Sequence, residues 1–425
     1  MKHSVITALA RTPFCPAGAA LSEFSAEELG AIALREMLLR AELSPAEVDH
    51  VFVGCTEQVL SGINVAGAIA KRCGLPERVG TTNISGKVTA GLQAIWQACR
   101  AIQQGDTHSV VVAGISSVSN FPVELPAEFY RWFNGRRGKG IGAAFNWARH
   151  LGTARFNPTA GLQYVERDPL SETPVADLSN MLARTYSISR ESQDDYAATS
   201  RQRLQKANSL NLPAYITPVY LTAGDGQIVT RDGALENLPE ATQYALAEPI
   251  GDDPFGTATD LNLATGADGA AVLLLLSEQR AKTLGQKALA RISSVGFATA
   301  PSDMAGCSSA FAMAKVLKDA ALSLSNLDIL QIHESSASAI LAMEAIFSDR
   351  ELTEQALGGS GNIGKFNSAN VNLTGGTLAI GDALAASGPE CIITAVDAMQ
   401  NGGGETALAV AGGLYADCGA VLLKK

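Results

Sequence analysis

The stretch 370–388, NVNLTGGTLAIGDALAASG, constrains this chain more than any other. Two glycines, Gly375 and Gly376, follow a short strand-like run. A small apolar segment then leads to Gly381 and Asp382, and a second patch of small residues follows at 385–388. Glycine lets one backbone approach another backbone, or a ligand, closely. Here it brackets a single charged side chain, Asp382. The surroundings of such a turn must be close-packed, and the composition suits that. There are 41 glycines, 47% hydrophobic residues and only 17% charged residues. A chain of 425 residues with this balance buries a large core, divided into two or three structural units.

The formal charge of −10 argues against nucleic acid or an anionic membrane as the main partner. The longest apolar runs, such as 270–276, are far too short to span a bilayer. The opening MKHSVITALARTPF lacks an apolar segment long enough for a signal peptide, so a cytoplasmic location is expected. The seven cysteines, at 15, 55, 73, 99, 307, 391 and 418, show no CxxC spacing. Reduced thiols are expected, with no metal-ligand pattern.

Residues 1–120 alternate strand and helix signals. Strands are expected at 4–8, 50–54 and 109–113. Helices are expected at 25–41, with Ser25 as N-cap, and at 62–73 and 90–104. Residues 121–250 loosen, although 178–185 and 190–210 read as helices. From 131 to 155 there are six cationic residues and no Asp or Glu. That segment, with Arg136 and Arg137, is either a phosphate-handling loop or a solvated insertion. Residues 251–425 return to alternation. Strands are expected at 270–276, 289–297, 329–333, 391–394 and 418–423, and helices at 310–321, 338–347 and 378–387. This alternation predicts a layered α/β fold built from two related halves around an irregular insert.

The order of short motifs gives the resemblance. Arg11-Thr12-Pro13-Phe14 matches the N-terminal signature of the thiolases, and Gly91-Leu92-Gln93-Ala94 the helix after the thiolase nucleophile. TYSISRESQDD at 185–195, the segment 256–271, and His333-Glu334 resemble further thiolase motifs in the family's order. Gly364-Lys365-Phe366-Asn367 is similar to the branch holding acetyl-CoA acyltransferases and the β-subunits of trifunctional complexes. The resemblance covers nearly the whole chain. It implies the five-layered α-β-α-β-α thiolase fold with two duplicated halves. The halves are expected at 1–118 plus 251–280 and at 281–425, with a loop-domain insertion at 119–250.

Thiolases run Claisen chemistry on coenzyme A thioesters, which needs a thiolate nucleophile, a base to generate it and an oxyanion hole. The resemblance places the nucleophile three residues before Gly91, and that residue is Val88. Thr89, beside it, carries a hydroxyl. The family's Gly-His-Pro histidine corresponds to Asp382. The second catalytic cysteine falls in LAVAGG at 408–413, which has none. The serine that contacts coenzyme A falls on Ala264. His333 takes the position that helps hold an oxyanion-hole water. Val88, Asp382 and His333 are expected to share one cavity, with His333 and Asp382 as catalytic candidates. Thr89, Glu334, Gly375, Gly376, Ala264, Arg136 and Arg137 are candidates for substrate binding.

Three functions follow from this pattern. The first is an acyl-thioester-binding protein of thiolase ancestry without true thiolase activity. The second is an acyltransferase or acyl-CoA-processing enzyme that uses Asp382 with His333. The third is a non-catalytic subunit of a thiolase or ketosynthase complex. The resemblance implies acyl-CoA or an acyl-carrier thioester as ligand and no covalently bound cofactor. It also implies a homodimer, or a heterodimer with an active subunit, paired near 81–85.

Overall fold

The computed structural model describes residues 3–56, 64–121, 167, 173–210, 213–222, 226–235, 238–357, 363–412 and 417–425. In the first half, strand β1 (Ser4–Arg11) leads through the short β2 (Cys15–Pro16) to helix α1 (Ala26–Arg40). Then come β3 (His50–Cys55), α2 (Val65–Arg72), β4 (Gly80–Ser85), α3 (Ala90–Gln104) and β5 (Ser109–Ser117). Ser25 starts α1 by a capping box, its hydroxyl accepting from the Glu28 amide while the Glu28 carboxylate accepts from the Ser25 amide. Beyond β5 lie α4 (Val175–Thr185), α5 (Arg190–Leu210), the small pair β6 (Val219–Tyr220) and β7 (Ile228–Val229), and α6 (Ala241–Leu246). Strand β8 (Ala267–Ser277) returns the chain to the first half, followed by α7 (Glu278–Thr283).

The second half repeats the plan. It holds β9 (Ala290–Thr299), α8 (Ser308–Asp319), β10 (Ile329–Ile332), α9 (Ala337–Ser348), α10 (Arg350–Leu357), α11 (Thr377–Ile380), α12 (Ser387–Ala398), β11 (Thr406–Ala411) and β12 (Asp417–Lys424). In the first half β3 pairs in parallel with β4 and β5, and β8 runs antiparallel to β5 and β1. In the second, β10 pairs in parallel with β11 and bridges Val371 in parallel. Strand β12 runs antiparallel to β11 and β9. The two sheets join along one edge, where Ser4–Ile6 of β1 pairs with 290–292 of β9.

Strand alternation assigns each face to a layer. On β8, Ala271, Leu273 and Leu275 face the central core, while Val272, Leu274 and Leu276 face the core under α1 and α2. On β12, Val421 and Leu423 face the centre, while Ala420 and Leu422 pack under α8 and α9. A strand buried on both faces reads as a continuous apolar run, as LLLL at 273–276 does. Helices α3 and α12 fill the centre between the sheets. The result is the five-layered arrangement, helices outside and between two sheets.

One expected strand is corrected. Residues 391–394 lie inside α12. Cys391, Ile392, Ile393 and Thr394 have β propensity, but this helix is buried on all sides and packing overrides the preference. Strand β11, which runs into the LAVAGG segment, has no counterpart among the strands expected from sequence. Arg136 and Arg137 lie outside the described residues.

The two central helices touch through glycine. A Cβ on Gly91 would lie 2.3 Å from the Ala385 carbonyl oxygen, and one on Gly114 2.2 Å from the same atom. A Cβ on Gly388 would lie 2.8 Å from Leu92 Cγ. Backbone cannot retreat as a flexible side chain can. Gly91→Ala should therefore destabilise the fold by about 1–3 kcal/mol or more, whereas alanine normally favours a helix interior. Urea unfolding checks this, and an unchanged midpoint would contradict the packing.

Candidate functional site

The turns preceding α3 and α12 lie side by side. Val88 is 1% exposed and belongs to the central core with Ala383, Leu384, Ala385 and Ala386. A Cβ on Gly388 would sit 3.3 Å from the Val88 carbonyl oxygen. Methyl groups therefore stand at the turn where the resemblance puts a nucleophile. Thr89 precedes the first residue of α3, is buried and makes no capping bond with its side chain. No thiolate stands ready elsewhere among the cysteines whose state is shifted. Burial pushes Cys73 up to about 11, and Cys99, Cys307 and Cys418 up to about 12. Burial also drives Cys391 well above the usual thiol range.

Asp382 follows Gly381, whose φ of 96° few residues but glycine adopt. The Asp382 backbone is fastened to the strap 264–267. Its amide donates to the Thr265 carbonyl at 2.8 Å, and its carbonyl accepts from the Ala267 amide at 2.9 Å. The same strap reaches the His333 loop, where the Ala264 amide donates to the Ser335 carbonyl at 3.1 Å. Ala264 therefore sits between the two loops that carry His333 and Asp382.

The Asp382 carboxylate has donors on both oxygens. Oδ1 accepts from the Leu384 amide at 2.9 Å and from the Ser387 hydroxyl at 2.8 Å. Oδ2 lies 3.0 Å from His333 Nε2. Leu384 is held at a φ of 43°, a left-handed conformation that costs a branched residue roughly 1–2 kcal/mol. The Asp382 oxygen bonded to its amide helps offset that cost. Position relative to α12 adds to this, since a helix N-terminus favours a carboxylate.

His333 continues from β10, its amide donating to the Val410 carbonyl at 2.9 Å. Nδ1 stands 2.6 Å from the Gly412 carbonyl oxygen. A carbonyl only accepts, so Nδ1 carries a proton. Nε2 then faces a carboxylate. The Nε2–H direction is not well aligned on Oδ2, so the contact is more Coulombic than hydrogen-bonded. An imidazole between two acceptors is stabilised as the imidazolium. Burial pulls the His333 pKa down, but the Asp382 charge, its side-chain contact and the Gly412 carbonyl together push it up. Burial likewise pushes Asp382 up, but the His333 charge with the Ser387 and Leu384 donors holds it below its usual value. The site is a buried imidazolium–carboxylate pair. Its histidine side chain is fully enclosed, and its aspartate side chain keeps 10% exposure.

Glu334 does not have the role expected of it. Its carboxylate is wholly buried and accepts from Tyr196 Oη and Ser200 Oγ at 2.9 Å, Asn372 Nδ2 at 2.5 Å and the Leu378 amide at 3.1 Å. A carboxylate with four donors and no exposure positions the loop and does not reach a substrate. Gly376 is what admits it, since a Cβ there would lie 2.5 Å from Glu334 Cδ. Gly375, at a φ of 87°, would put a Cβ 2.8 Å from the Ser200 carbonyl oxygen. These two glycines seat α5 and Glu334. The sequence reading missed Ser387, Asn372, Tyr196 and Ser200. The i, i+4 spacing of Tyr196 and Ser200 on one helix was the available signal.

The pair predicts a pH profile for stability. A histidine raised on folding contributes fully below its unfolded value of 6.5, and that contribution is lost as pH rises through the folded value. An aspartate lowered on folding contributes above 3.8, and that contribution is lost as pH falls through the folded value. Stability should thus be held between these limits and decline on the alkaline side of 6.5. Asp382→Asn should cost about 3–5 kcal/mol near pH 6 by stranding a buried charge. It should also flatten the alkaline decline and move the His333 NMR titration downward, because the Asp382 charge that opposes burial is then gone. Identical His333 titration in the two proteins would disprove the coupling.

Comparison with known proteins gives the same frame. The family model described as "Thiolase, N-terminal domain" matches residues 4–279, and "Thiolase, C-terminal domain" matches 286–425. A 3-ketoacyl-CoA thiolase of Vibrio vulnificus (strain YJ016) is 27% identical over 406 residues, covering 94% of this chain and 93% of that protein. One from Vibrio cholerae serotype O1 (strain ATCC 39541 / Classical Ogawa 395 / O395) is 28% identical with the same coverage. Human mitochondrial 3-ketoacyl-CoA thiolase superposes with a TM-score of 0.85 at 26% identity, covering 100% of this chain and 99% of that one. The same enzyme in complex with CoA gives 0.84 at 26%, covering 100% and 98%. The Bacillus anthracis acetyl-CoA acetyltransferase gives 0.85 at 27%, covering 100% and 99%. With both domain models spanning nearly its whole length, the chain belongs to the thiolase family.

Proposed function

We propose that this protein holds an acyl thioester, of coenzyme A or of an acyl carrier, in a thiolase-type pocket without forming an acyl-cysteine. The observation that carries this reading is the His333–Asp382 pair. Thiolytic chemistry needs a thiolate and a base strong enough to make one. Val88 offers no nucleophilic atom. Asp382, held as an anion by a buried cation and two further donors, is a weak base. Both His333 nitrogens already face acceptors, so the imidazolium has no proton aimed at a substrate. The pair closes the site electrostatically.

A second reading is supported by one detail. Asp382 is the member of the pair with residual exposure. In a repurposed enzyme its outer oxygen would face the substrate, with His333 setting its charge from behind. Either reading accommodates a dimer. Strand β4 ends the sheet, and most of its residues are half-buried, which suits pairing with a second copy or with an active thiolase-type subunit. A cytoplasmic setting goes with this reading. Among the described residues, no helix is long and apolar enough to cross a membrane.

Calorimetry with acetoacetyl-CoA and intact-protein mass analysis test the proposal. Saturable binding with no covalent adduct and no thiolysis above background is expected. Val88→Cys alone should leave thiolysis at background, because Asp382 cannot replace an imidazole base. Thiolysis by the unmodified protein that is lost in Asp382→Asn would favour the second reading. Absence of any thioester binding would overturn both.

A further inference from the structure

Helix α12 is buried between the two sheets, and it carries an acid in its second turn. Glu390 stands three residues after Ser387, whose hydroxyl holds Asp382. It is 3% exposed. Its Oε1 accepts from the Thr394 hydroxyl at 2.6 Å. Its Oε2 is sealed from solvent and has no hydrogen-bond partner. Glu390 borders a cavity of about 480 Å³, yet that oxygen is not open to it. Water in the cavity therefore does not solvate the sealed oxygen.

The groups around Glu390 do not supply a free counter-charge. Arg11, on β1, is committed to Asp232, Nη1 donating to Oδ1 at 2.6 Å and Nη2 to Oδ2 at 2.8 Å. Its Nε–H is also sealed and unpartnered, so no hydrogen bond joins it to Glu390. The other charged or titratable groups that act on Glu390, or on which it acts, are Asp232, Tyr215, Cys391 and His333. His333 already faces Asp382. Asp397, further along α12, is a second acid in the lining of the cavity. An ionised Glu390 would thus have one neutral donor and a cation already matched by another carboxylate. A buried carboxyl so placed favours its protonated form. A neutral hydroxyl without a partner costs far less than an ion without one.

We propose that Glu390 is a neutral carboxylic acid in the folded protein and that its proton is a pH-sensitive lock on α12. Loss of that proton puts an uncompensated charge inside the helix whose first residue holds Asp382, so α12 loosens as pH rises. Burial pushes the Glu390 pKa up, with Arg11 and Thr394 opposing only in part. A carboxyl raised on folding contributes fully below its unfolded value of 4.5, and that contribution is lost as pH climbs through the folded value. This decline begins on the acid side of the one that His333 sets. The lock does not depend on the acyl-thioester reading.

Glu390→Gln keeps the shape and an acceptor for Thr394 while removing the charge. Urea unfolding of the full-length proteins at pH 5 and pH 8 measures the folding equilibrium constant of each. The ratio of variant to wild type should rise by roughly tenfold or more between the two pH values. Comparison across pH cancels any fixed effect of the amide. Amide hydrogen exchange in α12 is the conformational readout, and protection there should fall between pH 5 and pH 8 more in wild type than in the variant. Independently, infrared spectra of wild-type protein carrying carboxyl-labelled (carbon-13) glutamate should show a protonated glutamate carbonyl at pH 7. A ratio that falls from pH 5 to pH 8 would mean that an ionised Oε2 pairs with Arg11 Nε, and would overturn the proposal. So would a ratio independent of pH, or equal loss of protection in the two proteins. Absence of the protonated glutamate band from wild type at pH 7 would overturn it too, whether or not the variant folds.

Discussion

The near-contact of α3 and α12 is the constraint from which the site follows. Two sheets can share one helical layer only if the helices between them are thin where they cross. Gly91 and Gly388 on those helices supply that thinness, with Gly114 on β5 facing the same Ala385 carbonyl, each at distances no Cβ could occupy. The crossing lies at the N-terminal ends of both helices, so the turns before them, at 86–89 and 381–386, are forced together. The Val88 carbonyl oxygen would stand 3.3 Å from a Cβ on Gly388, at the start of α12. The two turns carry Val88 and Asp382, and β10 delivers His333 to the same place.

Given that geometry, electrostatics decides what Asp382 can be. An isolated carboxylate beside the central core would be driven towards its neutral form by desolvation. Three donors, one of them cationic, reverse the direction. The same logic fixes His333, whose Nδ1 is committed to a backbone carbonyl and whose Nε2 has only a carboxylate nearby. Each group pushes the other's pKa towards the charged form, against the burial that opposes it. Glu334, one residue on, is buried by a different route, with four neutral donors in place of a cation. Adjacent residues thus point to opposite tasks: His333 into a charged pair, Glu334 into a structural cage.

Much of this was legible in the sequence because it is local. The helix at 90–104 announces itself by apolar spacing, and the Ser25 cap by its acidic partner three residues on. The stretch 370–388 marked the site because glycine density there is a backbone requirement. What was not legible depends on partners distant in sequence. Residues 391–394 carry strand-forming side chains, yet they enter a helix because both sheets enclose them. Glu334 read as a substrate ligand because nothing local reveals that Tyr196, Ser200 and Asn372 surround it. The partnership of His333 with the Gly412 carbonyl joins residues 79 positions apart and leaves no trace in composition.

The two charged residues at the heart of the site are coupled. An imidazole placed at 333 without a carboxylate at 382 would be buried, uncharged and short of a partner for Nε2. A carboxylate at 382 without the imidazole would have donors on one oxygen only and lose the charge that opposes its burial. Either residue alone leaves a buried polar group unsatisfied, at a cost of roughly 1–3 kcal/mol or more for a charged one. Together they cancel. His333 and Asp382 make a consistent set on physical grounds. The set favours a charged pair locked in place over a proton in transit.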